Sequence, residues 1–411
     1  MAAAPAEIRD YRPEDLPAVR RMWREIHWID DSDRMADALG VFMDLGRVRV
    51  GVLDGEVEAL SHRTPGAIRY DDVDLPLAAV TGVTTSTVGR NAGLATRLTQ
   101  EAVVGGALDG AAVAALGMFE QGFYDRVGMG SLGYTHTVRF DPAWLRVPRP
   151  SRPVVRVGRD DWAEVADLLA RRVRRHGGVR LDPPESARTE LAWIEDTYLG
   201  LGFRDDAGRL SALAAGRCAD EHGPWAVHVC AWASDQDLAD LLGLFSTLSA
   251  QLHRIEVAEP PGLQLQDLID RPIRRAEGPT AATSPLITST SWYQARILDL
   301  EACVAARRWP GDPVTFDLVL TDPLRDAGLG WPGLAGEWSV TVGEPSTVVR
   351  GHRGGLPVLR AGVGALTRMW FGVRPASGLA LTTDLSGPPE LLAALDRALC
   401  LPAPVVPGLP F

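Results

Sequence analysis

Lysine is absent from this chain: all 42 basic residues are arginine. A lysine nucleophile and Schiff-base chemistry are thereby excluded. Cysteine is sparse. Cys218, Cys230, Cys303 and Cys400 form no Cys-x-x-Cys pair, so neither a zinc site nor a redox pair is expected. Reduced thiols in a cytoplasmic protein are the default. The 8 histidines are scattered and no His-Glu-x-x-His occurs, so no metal is expected. Gly130-Ser131-Leu132-Gly133 approaches a nucleophile elbow, but Met129 stands where its first glycine belongs. No apolar run reaches the ~18 residues of a membrane span. The start, Met1 to Glu7, has neither the basic nor the apolar segment of a secretory signal.

What is present is a balanced globular composition. Of 411 residues, 46% are hydrophobic and 23% charged, which rules out wholesale disorder and fits two to four domains. The formal net charge of -11 argues against nucleic acid as a partner, since phosphate binding needs a clustered cationic surface. A small cationic partner, steered by the protein's field, is favoured instead.

Proline-rich punctuation divides the chain into 1–147, 148–282 and 283–411. In the first region, Leu16, Val19, Met22 and Trp23 have helical spacing over Pro13 to Arg24. Arg47 to Leu53 and Val57 to His62 read as a hairpin about Asp54-Gly55. A strand at Leu77 to Thr85, a helix at Gly93 to Val104 and a strand at Val113 to Met118 follow, predicting a mostly parallel sheet. The second region repeats this order more loosely. A helix starts at Asp160, a strand covers Trp225 to Trp232, and a Ser234-to-Asp237 capping box opens another helix. It has no glycine-rich turn. The third region begins with a strand at Tyr293 to Leu298 and a helix at Leu300 to Arg307, and Trp331, Trp338 and Trp370 are expected in its core. The tail from Leu401 to Phe411 is uncharged and carries four prolines, so it is expected to be extended and docked on protein.

The most informative segment is the turn from Thr84 to Ala95. It joins a strand to a helix, and Gly93 and Ala95 lack bulk. Free N–H groups and the dipole at a helix start attract an anion, and small residues let backbone approach it. The preceding Val83-Thr84-Thr85 can offer a strand edge to an amide-bearing ligand arm. An ordinary β-α turn with small residues would read the same way.

Arg90-x-x-Gly93-x-Ala95, followed by Phe119, Glu120 and the Tyr124-x-Arg126-x-Gly128 turn, resembles the Eis-like (enhanced intracellular survival) branch of the GCN5-related N-acetyltransferases of actinobacteria. The resemblance runs over nearly the whole chain. It implies an α/β (α+β) fold class: a catalytic acetyltransferase fold, a degenerate second copy, and a sterol-carrier-protein-like C-terminal domain, assembled as a homohexamer. It implies an acetyl-CoA-dependent enzyme that acetylates amines of aminoglycoside, polyamine or lysine type. Val83, Thr84, Thr85, Arg90, Asn91, Ala92, Gly93, Leu94, Ala95, Thr96, Phe119 and Glu120 fall on its acetyl-CoA site. Tyr124 falls on the general acid that protonates the leaving thiolate. Phe411 falls on the C-terminal residue whose α-carboxylate is the general base. Trp28, Asp30 and Asp31 fall where the family lines its acceptor cavity. This sequence departs from the family at Asn91 and Ala92, where arginines are common, at Phe119, where a small or polar residue is usual, and at Pro410, where acidic residues occur. The alternative is a weakly catalytic binding protein whose third region carries a hydrophobic ligand.

Overall fold

The computed structural model describes residues 7–194, 197–273, 284–325 and 327–404. Two sheets share one strand order. In the first, Glu7–Asp10, Arg47–Leu53, Glu56–Tyr70, Val73–Thr85, Val113–Gly117, Tyr293–Ile297 and Gly130–Ser131 lie side by side, with Val179–Leu181 also on Glu56–Tyr70. In the second, Val155–Arg156, Tyr198–Arg204, Leu210–Cys218, Trp225–Trp232, Ile255–Ala258, Thr135–Phe140 and Leu286–Thr290 occupy the matching positions. Each sheet has one parallel pair among antiparallel neighbours, at Val73–Thr85 with Val113–Gly117 and at Trp225–Trp232 with Ile255–Ala258. The equivalent crossovers are the helices Leu94–Leu108 and Asp235–Thr247.

The expected mostly parallel sheet is therefore corrected to a mostly antiparallel one. The cause is the length of the connections. Asp54-Gly55, both at positive φ, and Asp71-Asp72 close two-residue turns, and such turns join antiparallel strands only. Parallel pairing needs a long crossover, which the first region makes only through Leu94–Leu108.

The sheets also do not follow divisions at 148 and 283. Thr135–Phe140 crosses into the second sheet, pairing with Ile255–Ala258 and Leu286–Thr290. In return, Tyr293–Ile297 enters the first sheet between Val113–Gly117 and Gly130–Ser131. The repeats thus exchange a strand. A third sheet, ordered Thr347–Arg350, Gly336–Val342, Val314–Thr321, Val358–Gly362, is joined to the first by the helix Val363–Trp370, which packs on Tyr293–Ile297 and Gly130–Ser131. One apolar core joins them, with Ile68, Tyr70 and Ala115 packed in a cluster that includes Phe316, Trp338 and Trp370. Tyr70 donates its hydroxyl hydrogen to the Trp370 carbonyl at 2.9 Å.

Helix Leu16–Glu25 buries Val19, Met22 and Trp23, the face its spacing predicts. Helix Asp33–Asp44 has Ser32 as cap and buries Met35, Leu39 and Phe42. No helix among the described residues is long and apolar enough to cross a membrane.

Candidate functional site

The central cleft of the first sheet follows from a break in pairing. Val73–Thr85 runs beside Val113–Gly117 only from Leu77–Val113 to Val80–Leu116. Beyond that point the register against Glu56–Tyr70 shifts between Leu60 and His62, and Gly82 takes φ 59. An extra residue at such a bulge bends the strand. Gly117 meanwhile pairs with Tyr293, and the Met118 N–H donates to the Trp292 carbonyl at 2.8 Å. The two parallel strands part, and a cleft of about 680 Å³ opens between them. It is lined by Ile26, Trp28, Val83, Thr84, Thr85, Gly89, Arg90, Asn91, Gly93, Leu94, Ala95, Thr96, Phe119, Glu120, Phe123 and Arg126. Thr84 and Thr85 stay paired to Leu60 and Ala59 on one edge, which leaves the opposite backbone edge for a ligand. The Thr85 hydroxyl is buried and lacks a partner among the described residues.

One end of the cleft is a helix start. Leu94–Leu108 begins from Gly93 at φ 73, with no side chain capping it, so its first N–H groups are unsatisfied within the helix. The loop in front is held from below. Glu25 accepts the Thr87 N–H at 2.7 Å, and Ser86 Oγ accepts the Gly89 N–H at 3.0 Å. The bonds to Thr87 hold the Glu25 carboxyl below its usual range. A side chain at Gly89 would put its Cβ 2.8 Å from the Glu58 carbonyl oxygen, so the loop lies flat on the strand only with glycine there. Arg90 and Arg126 add cationic charge, with the Arg126 guanidinium 5.8 Å from the Phe123 ring centre. Uncapped N–H groups, a helix dipole and two arginines suit a diphosphate. The matching turn of the second sheet does not. Ser234 Oγ accepts the Asp237 N–H at 3.2 Å, and Asp235 and Asp237 occupy the first helical turn, so that helix start is filled and would repel an anion.

Tyr124 opens the short 3-10 turn Tyr124–Val127 behind the cleft and is 2% exposed. Its ring lies edge-on to Phe119 and Phe123, at 5.6 and 4.9 Å between centres. Burial pushes its phenol pKa well above the ordinary value.

Of the sequence-predicted acetyl-CoA residues, eleven line this one cleft, and Ala92 does not. Phe119 is exposed, and its ring meets Phe123 at a tilt with 5.1 Å between centres. Trp28 lines the cleft and meets Trp23 edge-on at 5.2 Å. Asp30 and Asp31 are not brought to it. Asp30 accepts the Ser32 N–H at 2.9 Å, and Asp31 pairs with Arg24. Phe411 lies outside the described residues. The tail leading to it is docked as far as it is described: Pro404 is buried and its carbonyl lies against Gly133. Sequence reasoning missed Ile26, Gly89, Phe123 and Arg126 in the lining, and Glu25 beneath the loop. Arg126 carried a signal, the Tyr-x-Arg spacing; Glu25 carried none, because its partner is 62 residues away.

Residues 7–132 match the acetyltransferase (GNAT) domain family, and residues 300–407 match the sterol carrier protein domain family. The chain carries a GNAT acetyltransferase domain. The cleft lies wholly inside this acetyltransferase domain, whereas the strand Tyr293–Ile297 that completes its sheet comes from outside it. Among solved structures, a conserved protein of unknown function from Enterococcus faecalis shares 18% identity at a TM-score of 0.80, covering 99% of both chains. Eis1 from Mycobacterium abscessus shares 20% identity at a TM-score of 0.73, covering 99% of this chain and 98% of its own. A GCN5-related N-acetyltransferase from Kribbella flavida shares 20% identity at a TM-score of 0.73, covering 98% of each chain. These likenesses establish that the fold is shared end to end. No curated protein matches the sequence.

Proposed function

We propose that this protein transfers the acetyl group of acetyl-CoA to a primary amine of a cationic, multi-amine acceptor. One observation carries the reading. The cleft where the parallel strands part has an uncapped helix start at one end and an aromatic nest around Tyr124 close by. The backbone from Arg90 to Thr96 would hold the diphosphate, and the free edge at Val83–Thr85 would pair with the pantetheine amides. The small bulge at Gly82 lets the strand turn away and expose that edge.

The chemistry needs two proton movements. The amine nitrogen must lose a proton as it attacks the thioester carbonyl, and the departing sulfur must gain one as its bond to carbon breaks. Tyr124 donates to the sulfur, and burial favours its protonated phenol, the form that can donate. The α-carboxylate of Phe411 takes the amine proton. Net charge -11 draws the cationic acceptor toward the protein.

The test is release of free thiol from acetyl-CoA with a panel of aminoglycosides, polyamines and lysine-containing peptides. Release is expected with at least one class and should weaken with added salt through KM. Absence of release with every acceptor overturns the reading.

A further inference from the structure

The turn that carries Tyr124 is held by an ion pair from outside its own domain. Arg296, on the exchanged strand, donates from Nη1 to the Val127 carbonyl at 2.6 Å. The same guanidinium grips Asp322 of the C-terminal region, Nη1 to Oδ1 at 3.2 Å and Nη2 to Oδ2 at 2.8 Å. Both side chains are 0% exposed. Asp322 is itself fixed: its carboxylate accepts the N–H groups of Leu324 and Leu334, each at 2.9 Å. The Trp331 ring covers the guanidinium, 5.2 Å from its centre. Val127 ends the turn that Tyr124 begins, and the Met129 N–H returns to the Tyr124 carbonyl at 3.2 Å. Gly128 closes the turn at φ 74, and a Cβ there would collide with Val363 and come within 3.1 Å of Arg296 Nη1. The C-terminal region therefore presses on this turn at two points.

The mutual attraction of a buried ion pair is a poor device for stability alone, because desolvating two charges offsets most of it. Its distinctive property is geometry. A planar guanidinium that bonds two oxygens of Asp322 and one carbonyl of the turn admits one orientation of all three.

We propose that Arg296, braced by Asp322, is a positioning residue for Tyr124: it fixes the Tyr124–Val127 turn through the Val127 carbonyl and so sets where the phenol hydrogen is delivered. The inference rests on the reading of Tyr124 as the proton donor. It gives the C-terminal domain a part in the first domain's reaction without any ligand of its own.

The experiment replaces both charges with apolar residues, Arg296→Met with Asp322→Leu, in the full-length chain and again in a Tyr124→Phe background. Thermal unfolding is followed for each. The double variant should keep the acetyl-CoA KM within about threefold and lose about tenfold in kcat, because only the transition state uses the donor. In the Tyr124→Phe background the same change should cost less than about twofold, since groups that act as a unit are non-additive. An equal kcat loss in both backgrounds, or an unchanged kcat, overturns the proposal. If Tyr124→Phe alone retains full kcat, the acid role falls and the positioning role with it. If Tyr124→Phe is impaired while the apolar pair is not, only the positioning role falls. Arg296→Lys covers the case of a misfolded double variant. It keeps the charge facing Asp322 but gives up the planar fork, so it should show a smaller kcat loss that again vanishes without Tyr124. A kcat loss from Arg296→Lys that persists in the Tyr124→Phe background overturns the proposal equally.

Discussion

Tyr124 shows what burial does to one functional group. The Phe119 and Phe123 rings and the 2% exposure remove water from the phenol, and the lost solvation disfavours the phenolate. The pKa rises, so the protonated form persists above the ordinary phenol value of about 10. An acid with a raised pKa is present at low and neutral pH and is lost only on the alkaline side. Between pH 8 and pH 10, kcat should therefore show no fall from loss of this proton. Tyr124→Phe should lower kcat by roughly 10- to 1,000-fold, with little change in KM for acetyl-CoA. A pH series of initial rates for both proteins checks this, and a near-wild-type kcat for the Phe variant would remove the acid from the mechanism. At this scale the sequence was legible where a local motif marks the cleft lining, as at Arg90, Gly93 and Thr85. Asp30 and Asp31, which the resemblance assigns to an acceptor cavity, lie outside the cleft lining and bond to nearby Ser32 and Arg24. Arg296 and Asp322 gave no local pattern at all, being 26 residues apart and joined only by the fold.

Elements explain why one repeat has an open helix start and the other does not. Both sheets place a helix start after an equivalent parallel strand, yet Gly93 leaves its helix open while Ser234 closes its own. That contrast could be read from sequence, since a capping serine and a glycine-rich turn are local signals. The bulge at Gly82 could not, because a single glycine in a strand does not declare whether pairing continues. Arg90 sits exposed at the mouth of the open turn. On the proposed reading, a cation there would meet the diphosphate equally in the ground and transition states. Arg90→Ala should therefore raise the acetyl-CoA KM, by about 5- to 20-fold if the contact is worth ~1–1.8 kcal/mol, with kcat nearly unchanged. Steady-state kinetics at saturating acceptor distinguishes this from a catalytic role, which would appear as a large kcat loss at constant KM.

The molecule as a whole is held by pairings that sequence order conceals. Thr135–Phe140 and Tyr293–Ile297 each lie in the other repeat's sheet, and proline-rich segments suggested boundaries between them that the strands ignore. The tail belongs to the same long-range organisation. Its apolar, proline-rich composition predicted docking, and the described part bears this out: Leu401 lies on Gly372, and Ala403 and Pro404 pass Gly133. A Cβ on Gly133 would sit 2.6 Å from the Pro404 carbonyl oxygen, closer than real contacts allow, and that neighbour is backbone, so the tail must move. If the Phe411 carboxylate is the base, Gly133→Ala should displace it and lower kcat by about tenfold or more, while KM for acetyl-CoA and the thermal midpoint change little. Adding one residue after Phe411 should have the same signature, because extension shifts the carboxylate by about 3.5 Å and leaves a neutral amide behind. Phe411→Leu keeps the carboxylate and should retain most activity. The measurement is kcat and KM for the three variants without a C-terminal tag. Full activity in the extended protein would exclude the terminal carboxylate and leave Glu120, at the edge of the cleft, as the group to test for the base.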